Sequence, residues 1–396
     1  MCRPAYALIA NVVVVTISSM LLAGSAAAHP DGSRWSIQPS PDPPGSVGSF
    51  LSSVACAGDG TCTAVGSYSP GSGVLTLAER WDGSNWTVED TPNVPGAAWN
   101  LLTGISCPAP EHCIAVGYSV TTKVRPLVER WDGVSWTIVP TPRPRGAFWF
   151  ELVAVSCAGV HDCVAVGSSI GRGVDAQERP LAEHWDGASW TIERTPNPHA
   201  ENGSGLTGVS CLAGGVCEAV GTFTYADVQE GIFALGRDGA TWVLQQQPDP
   251  GGGYVTAEDS VSCATGAACT SVGTWTDADG RIRALAGSWS GSAWTLQHAR
   301  DPNGSAISEL LGVSCEANDA CIAVGDRSVS PNGTPSSTLA ERWNGSAWRI
   351  QWTPNPNGAT VSTLDGVTCA PSGACVAVGS ATVDGVSSTL VEVSAP

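Results

Sequence analysis

Residues 312–325, "GVSCEANDACIAVG", decide the fold, because their pattern of two cysteines six residues apart recurs through the whole chain. Seven copies are present, and their first cysteines follow one another at intervals of 50 to 54 residues. Self-similarity at a fixed period of this length is typical of repeat architectures. The chain therefore consists of seven versions of one structural unit, whose first cysteines are Cys56, Cys107, Cys157, Cys211, Cys263, Cys315 and Cys369.

Each repeat contains four short runs with strand character. A run of the "LTGVSC" type leads into the cysteine loop, and a run of the "CxAVG" type leaves it. After a variable loop comes "PLVERW" or its equivalent, and a "DG" turn connects that run to "SWTIV". A segment of the "TPNP" type then ends the pairing, because proline has no N–H to donate to a ladder. The third residue before each first cysteine is small, which predicts innermost strands that crowd around an axis: Ser53, Gly104, Ala154, Gly208, Ser260, Gly312 and Gly366.

Four antiparallel strands in about 50 residues are typical of one blade of a β-propeller. We therefore predict an all-β, seven-bladed β-propeller with four antiparallel strands per blade, formed by residues 29–396 as a single domain. A β-sandwich would not explain seven similar units. The predicted blades span about residues 50–92, 100–142, 150–196, 204–248, 256–302, 308–354, and 362–396 together with 31–43.

The last blade joins the two ends of the chain. Six repeats contain all four strands, but the seventh stops at Pro396, after its third strand. The stretch "DGSRWSIQPSPDP" at residues 31–43 begins with the missing turn and continues as the missing outer strand. We predict that this N-terminal strand completes the C-terminal blade and so closes the ring, which leaves no unpaired edge in that blade.

The repeat resembles kelch-type propellers, in which a strand ending in glycine leads to a third strand, a turn and a tryptophan. This likeness covers nearly all of the chain after residue 28, although kelch repeats have a double glycine and no disulfide at these positions. The "WDGxxW" hairpin is similar to the Asp-box hairpin of sialidase-like propellers, with one residue fewer between Asp and Gly. The glycines that carry the resemblance are Gly66, Gly117, Gly167, Gly221, Gly273, Gly325 and Gly379, and the tryptophans are Trp86, Trp136, Trp190, Trp242, Trp294 and Trp348.

The cysteines predict one disulfide in each blade. Fourteen of the fifteen cysteines fall into pairs six residues apart, and an even number at fixed spacing is typical of a disulfide framework in a secreted protein. Two thiolates per repeat make only half of a zinc site, so we predict no metal site and no cofactor. The predicted pairs are Cys56–Cys62, Cys107–Cys113, Cys157–Cys163, Cys211–Cys217, Cys263–Cys269, Cys315–Cys321 and Cys369–Cys375.

Residues 1–28 have the features of a secretory signal peptide, namely one cation, an apolar run and an Ala-Ala-Ala ending. The alternative is an uncleaved membrane anchor. Cleavage predicts a secreted or cell-surface protein with no stable membrane insertion, which we expect to be a monomer. One lysine among the eighteen cations, with abundant alanine and glycine, indicates a bacterial source.

The charge balance excludes some partners. Without Arg3 the chain has 17 cations against 36 acids. Nucleic acids and anionic membrane surfaces need many cations, so neither is predicted as a partner.

Two groups of residues are candidates for a functional site, and both lie at or near the starts of predicted inner strands. The first group is aromatic and predicts binding of a sugar or a peptide, with capping of the central tunnel or packing between blades as the alternative: Trp99, Trp149, Phe150 and Tyr254. The second group is acidic and would suit a hydrolase if two carboxylates met at the axis: Glu151, Glu258, Asp259, Glu309 and Asp365. The recurring acids of the third strand are instead predicted to be solvated, or paired with a neighbouring arginine: Glu79, Glu129, Glu183 and Glu341.

Other kinds of site find little support in the sequence. Asp277 and Asp279 resemble a fragment of a calcium loop, but an ordinary turn explains them. No glycine-rich phosphate loop is present, and a copper-radical oxidase would need a histidine and tyrosine set that this chain lacks. The favoured function is a secreted, non-enzymatic scaffold that binds a glycan, a peptide or a protein at its loop-rich face. This is the face formed by the variable loops, which connect the second strand to the third and the fourth strand to the first strand of the next repeat. The alternatives are a glycan-acting hydrolase or lyase and a structural surface protein without a small ligand.

Overall fold

The structure is a computed structural model that describes residues 35–58, 60–173, 176–198, 203–224, 230–248, 250, 256–266 and 268–395. Within these residues every regular element is a β-strand, and no helix is long and apolar enough to cross a membrane. The strands are β1 Trp35–Gln38, β2 Gly48–Cys56, β3 Cys62–Ser69, β4 Leu75–Trp81, β5 Trp86–Glu89, β6 Trp99–Ala109, β7 His112–Val120, β8 Val124–Trp131, β9 Trp136–Ile138, β10 Trp149–Gly159, β11 Asp162–Ile170, β12 Glu178–Trp185, β13 Trp190–Glu193, β14 Ser204–Leu212, β15 Val216–Thr224, β16 Glu230–Asp238, β17 Thr241–Gln245, β18 Thr256–Thr265, β19 Ala268–Thr276, β20 Ile282–Trp289, β21 Trp294–Gln297, β22 Ile307–Ala317, β23 Ala320–Ser328, β24 Ser336–Trp343, β25 Trp348–Gln351, β26 Ala359–Cys369, β27 Cys375–Val383 and β28 Val386–Ser394.

These strands form antiparallel units of four, in which each strand pairs with the next along the chain. A single parallel bridge between Ile282 and Ile307 joins two neighbouring units into one eight-stranded sheet. The units, each written from its first strand to its last, are unit 1 (β2–β5), unit 2 (β6–β9), unit 3 (β10–β13), unit 4 (β14–β17), unit 5 (β18–β21), unit 6 (β22–β25) and unit 7 (β26–β28 with β1).

The N-terminal strand β1 is the outer strand of unit 7, as the sequence predicted. It pairs with β28 in antiparallel register from Trp35 opposite Ser394 to Gln38 opposite Val391. The Trp35 side chain is almost completely buried. The predicted turn at Asp31 and Gly32 lies outside the described residues.

The first strand of every unit lines a central channel of about 160 Å³. The small residues predicted to surround an axis lie in its wall, and a Cβ on Gly104 would come within 2.9 Å of the Val153 backbone oxygen in the next unit. The strands therefore leave no room for larger side chains at this depth. One bulge residue interrupts each strand directly before the small residue, and the bulge residues also line the channel: Ser52, Thr103, Val153, Thr207, Asp259, Leu311 and Asp365.

The recurring "AVG" glycine is a steric requirement of this bulge. It lies on the second strand of each unit, and a Cβ there would overlap a backbone oxygen of the first strand. A residue with a side chain at this position would push the two strands apart, which explains why glycine is present here in all seven repeats, after "AV" in six of them and after "SV" in the fifth.

All seven predicted disulfides are present among the described residues. Each joins the first and second strands of one unit, with Cα atoms 3.9 to 4.1 Å apart. Each bridge therefore ties a short hairpin that the strand pairing already holds, and a disulfide set of this size fits an oxidising compartment.

Tryptophans of the fourth strands connect neighbouring units. The indole N–H donates to a side-chain oxygen of a Gln or Glu on the preceding unit, at 2.7 to 2.8 Å. Val139 stands where the acceptor for Trp190 would be, and that buried indole N–H has no partner among the described residues. The observed donor and acceptor pairs are Trp35 with Gln351, Trp86 with Gln38, Trp242 with Glu193, Trp294 with Gln245, and Trp348 with Gln297.

The prediction that the third-strand acids are solvated or paired with arginine is wrong. Glu79, Glu129, Glu183 and Glu341 are 0% exposed, and so is Glu392, their equivalent in unit 7. The neighbouring arginine points the other way, since Arg80 donates to the Pro110 carbonyl oxygen of the following unit. Strand alternation separates each acid from the arginine beside it and turns the acid toward the preceding unit.

Unit 5 supplies its buried carboxyl from a different strand. Its third strand has Gly287 at the glutamate position, and the Glu258 Oε1 atom lies 3.6 Å from where a Cβ on that glycine would be. Glu258 comes from the first strand, at a position that is leucine in the other units, and accepts a hydrogen bond from Ser271 Oγ at 2.5 Å. Ser271 in turn replaces the alanine of the other repeats. Three substitutions thus keep one carboxyl in the same space.

This exchange predicts a compensating set of mutations. We expect Gly287→Glu alone to destabilise the protein by roughly 2–4 kcal/mol, because a second acid would overlap Ser271 and crowd Glu258. Adding Glu258→Leu and Ser271→Ala restores the residues of the other repeats and should return stability to within about 1 kcal/mol of wild type. Chemical denaturation of the single and triple variants measures this, and a triple variant no more stable than the single one would contradict it.

Candidate functional site

The candidate residues lie at the end of each unit where the first strand begins and the second strand ends. Trp149, for example, pairs with Ile170, the last residue of β11. The cysteine hairpins lie at the opposite end of the same strands. We call the end formed by the variable loops the loop-rich face.

Asp259 and Asp365 line the channel, as the sequence predicted. Burial raises the pKa of both carboxyls, to about 7 for Asp259 and to about 6 for Asp365. The negative charge of Glu309 raises the pKa of Asp259 further, so these acids from units 5 and 6 lie close enough to repel each other. The channel therefore has an acidic side formed by neighbouring units.

A fourth acid belongs to this group and was missed from the sequence. Burial raises the pKa of Asp326 to about 7, and the charges of Glu309 and Asp365 add to the effect. Asp326 directly follows an "AVG" glycine, where the other repeats have serine, threonine or tyrosine, and that departure is the signal that could have revealed it. Among the described residues, the group of acids or cysteines that approaches metal-ligand spacing is a different one, Glu316 with Cys369 and Cys375, whose sulfurs are bonded to each other.

Glu258 does not face the channel. It lies one residue before the bulge and is 1% exposed, with its carboxyl turned toward unit 4. Burial raises its pKa to about 8. The expectation of an axial position is therefore wrong, because the bulge changes which side of the strand faces the channel at the next residue.

Glu151 lies in a pocket between units 3 and 4 on the loop-rich face. The pocket has a volume of about 200 Å³, and Glu178 and Glu230 lie in its wall. Burial, and then the charge of Glu178, raise the pKa of Glu151 to about 6. The other polar side chains of the wall are hydroxyls: Ser168, Ser204, Thr207, Thr222 and Thr224.

Gly205 opens this pocket. The equivalent positions in units 1, 2 and 3 have the side chains of Phe50, Leu101 and Glu151. A Cβ on Gly205 would lie 3.3 Å from both Glu178 Oε1 and Ser168 Cβ, so the absence of a side chain lets these two groups approach the strand and form the wall of the pocket. Pockets for drug-sized ligands have volumes of roughly 300–1,000 Å³, so this one suits a group as small as a single sugar ring.

The predicted aromatic residues are placed in different environments. Trp99 is 53% exposed, whereas Phe150 is 4% exposed and packs in the core between units 2 and 3. Phe150 is therefore a core residue, and its assignment to a ligand platform is wrong. Trp149 is half-buried, and its indole N–H has no partner among the described residues. Tyr254 lies outside those residues, and Phe148, which the sequence analysis did not select, is 44% exposed.

A larger cleft of about 480 Å³ lies at the other end of the strands, between units 7 and 1. Its wall contains two disulfides and Trp81. Between units 1 and 2 the Arg80 guanidinium lies 5.3 Å from the Trp131 ring centroid, but the equivalent of that arginine in unit 7 is Val393. The shorter side chain leaves Trp81 uncovered, which accounts for the cleft.

Comparisons with known proteins agree with the fold. No family model matches the chain, and no curated protein matches it. A protein of unknown function from Dyadobacter fermentans is similar in structure, with 10% identity, a TM-score of 0.50, and coverage of 92% of this chain and 99% of that one. Units of four antiparallel strands, whose first strands all line one channel, make the fold a β-propeller.

Two other solved structures are similar with TM-scores below 0.5. The Aleuria aurantia lectin in complex with Fucα1-6GlcNAc has 14% identity and a TM-score of 0.45, over 78% of this chain and 97% of the lectin. A subtype N11 neuraminidase-like protein from A/flat-faced bat/Peru/033/2010 has 12% identity and a TM-score of 0.43, over 91% and 93% of the two chains.

Proposed function

We propose that the protein is a secreted, non-enzymatic β-propeller that binds a glycan in the pocket between units 3 and 4. The observation that carries this proposal is the polar pocket opened by Gly205, in which the carboxylates of Glu151 and Glu178 face a ring of hydroxyl side chains. Sugar hydroxyls are donors as well as acceptors, and carboxylates and side-chain hydroxyls are suitable partners for them.

We further propose that the seven units form a closed, seven-bladed ring. The first strand of unit 7 packs against the first strand of unit 1, in the same way as the first strands of other neighbouring units. A Cβ on Gly366 in unit 7 would come within 2.9 Å of Ser53 Cα in unit 1. The indole of Trp86 in unit 1 also donates to Gln38 in β1.

Secretion depends on residues 1–28, which lie outside the described residues. Expression of the full chain in a secreting host, followed by N-terminal sequencing of the exported protein, tests cleavage after about Ala28. Retention of the intact N-terminus in the membrane fraction would favour the anchor.

A substitution that fills the pocket tests glycan binding. We expect Gly205→Leu to lower affinity at least tenfold, because a leucine side chain would meet Glu178 and Ser168 in the pocket wall and displace groups that contact the ligand. The measurement is a glycan array followed by titration calorimetry with the ligand found. Gly159→Leu, in the cysteine hairpin at the other end of unit 3, is the control with the same added volume.

Wild-type affinity in the Gly205→Leu variant would show that the glycan does not bind in the pocket between units 3 and 4. The variants Trp99→Ala and Trp149→Ala then identify the remaining possibility, a platform of aromatic rings on the loop-rich face. Loss of binding to peptides but not glycans in these variants would favour a peptide ligand.

The alternative of a glycan-acting hydrolase rests on the acidic side of the channel and on the pair of Glu151 and Glu178. Carboxyls with raised pKa values can serve as general acids near neutral pH. Release of new reducing ends from a polysaccharide by the wild-type protein, and its loss in Glu151→Gln or Asp259→Asn, would favour the enzyme. Binding without turnover supports the scaffold, and neither binding nor turnover would favour a structural surface protein.

A further inference from the structure

We infer that the glycan is acidic and that its negative groups bind to a basic patch beside the pocket, formed by Lys123, Arg125, Arg143 and Arg172. This inference rests on the proposed function and names the class of glycan. Lys123, Arg143 and Arg172 lie in loops of units 2 and 3 on the loop-rich face, and Arg125 lies at the start of β8 on the same face.

The loop before β10 contacts three cations of the patch and holds them near one another. Arg125 donates to the Phe148 carbonyl oxygen at 2.8 Å, and its guanidinium lies 5.0 Å from the Phe150 ring centroid. Lys123 Nζ lies 5.2 Å from the Phe148 ring centroid, and Arg143 donates to the Ala147 carbonyl oxygen. Backbone oxygens and ring faces thus fix Lys123, Arg125 and Arg143 without neutralising them.

None of these four cations forms an ion pair within the described part of the chain. The ion pairs found there involve other basic residues, His184, Arg237 and Arg283. The like charges of Arg143 and Arg172 add to burial in lowering the pKa of Arg125, so these three arginines lie close together. Cations that lie together without an ion pair among the described residues form an arrangement that an anion would stabilise.

The position of Arg172 connects the patch to the pocket. It follows β11 by two residues, and the same loop leads to Glu178 in the pocket wall. Trp149 and Glu151 belong to the strand that begins directly after Phe148. A chain of sugars that leaves the pocket along the start of β10 would therefore lead toward the arginines.

The pocket and the basic patch bind different chemical groups, hydroxyl donors and anions respectively, and an acidic sugar has both. The pocket carboxylates accept hydrogen bonds and suit hydroxyl donors, whereas guanidinium groups bind carboxylate or sulfate through two parallel N–H donors. An acidic peptide offers few donors to Glu151 and Glu178, and its charges would be repelled there. The combination therefore favours a uronic or sulfated glycan over an acidic peptide.

The test compares ligands that differ only in charge. Polygalacturonate and hyaluronan are each titrated beside their own methyl esters, which keep the hydroxyls and lose the charge, and poly-glutamate serves as the peptide probe. We expect at least one acidic form to bind roughly tenfold more tightly than its ester, and increasing salt to remove that difference.

Matched variants locate the effect. Arg143→Gln with Arg172→Gln removes two exposed cations of the patch, and Arg281→Gln with Arg349→Gln removes two exposed cations elsewhere. We expect the first pair to abolish the preference for the acidic form and the second pair to preserve it. Gly205→Leu should weaken the acid and the ester alike.

Each contrary outcome has a distinct meaning. Equal binding of acid and ester, with sensitivity to Gly205→Leu, would overturn the acidic class and leave the glycan pocket intact. Poly-glutamate binding as tightly as the glycans, and indifferent to Gly205→Leu, would replace the inference with a general polyanion surface. Absence of binding by both acidic glycans would overturn the inference, and the array result then decides the proposed function separately.

Discussion

The protein is expected to be several kcal/mol more stable at about pH 5 than at about pH 8, because it buries carboxyl groups in their neutral form between its units. Burial raises the pKa of Glu129, Glu183, Glu341 and Glu392 to about 8 from the ordinary 4.5. Both carboxyl oxygens of Glu129, Glu183 and Glu392 are buried without a hydrogen-bond partner. Desolvation by burial is the largest cause of the raised pKa in each of these glutamates, so the neutral form is favoured in the folded protein.

The direction of this pH dependence follows from the number of protons bound to the folded and the unfolded protein. The unfolded chain loses the proton of each glutamate near pH 4.5, whereas the folded protein keeps it until about pH 8. The folded state therefore binds more protons throughout this window, and the free energy of unfolding falls as the pH rises, by about 1.4 kcal/mol per group for each pH unit. The full effect is present below pH 4.5 and is lost by about pH 8.

At low pH, the stability depends on aspartates in the "DG" turns. Asp82, Asp132 and Asp186 accept backbone hydrogen bonds that lower their pKa values below the ordinary 3.8. Their contribution is present above that pH and is lost as the pH falls further. Maximum stability is thus expected at mildly acidic pH.

Denaturant unfolding across the pH range checks this expectation. The triple variant Glu129→Gln, Glu183→Gln and Glu392→Gln keeps the shape of the side chains and removes their charge. We expect it to be more stable than wild type at about pH 8 and to have a flatter pH profile. The control neutralises three exposed acids, Asp90→Asn, Asp238→Asn and Asp319→Asn. A wild-type pH dependence in the glutamine variant would show that the buried carboxyls are not its source.

Deletion of residues 29–43 is expected to have the second large effect, because it removes β1 from unit 7. The deletion exposes the edge of β28 and the site of the buried Trp35 side chain. It also removes the Trp35 donor to Gln351 and leaves Trp86 without its acceptor, Gln38. Loss of a buried tryptophan alone costs about 3–5 kcal/mol, which is a large part of the 5–15 kcal/mol that typically stabilises a domain.

Thermal unfolding and size-exclusion chromatography measure this loss. We expect a markedly lower Tm and self-association through the exposed strand edge. A protein trimmed only of residues 29–34 keeps β1 and is the control. A synthetic peptide of residues 29–43 added to the deletion variant should raise its Tm again. An unchanged Tm in the deletion variant would show that β1 contributes nothing to the closure.

The parts of the fold that were predictable are those encoded within one repeat. The four strand runs, the cysteine pairs and the small residue of the channel each depend on neighbours in sequence and recur seven times. The join between the chain ends was also readable, because Trp35 and Gln38 match the tryptophan and the acceptor of other repeats. The direction in which individual side chains point was harder to predict from the sequence. Glu258 and Asp259 are adjacent, yet the bulge places one between units and the other at the channel.

The candidate site depends even more on contacts between units, which the sequence did not reveal. Glu151, Asp259, Glu309 and Asp365 were selected as acids at the starts of inner strands, but that selection did not reveal that Glu151 lies apart from the others. The pocket exists because Gly205 of one unit faces Glu178 of another, a relation that joins residues from two repeats. The exposure of Phe148 and the burial of Phe150 likewise depend on the neighbouring unit.

The sequence by itself determined the repeat, its seven copies, the disulfides and the strand that joins the two ends, because periodic patterns act locally and each repeat satisfies its own backbone hydrogen bonds. Only the tertiary structure decided which side chains face each other across the units. Burial between sheets turned the third-strand glutamates into neutral core groups, and loop packing brought Lys123, Arg125, Arg143 and Arg172 together. Those outcomes depend on desolvation and on distances between residues far apart in the chain, which composition and spacing do not encode.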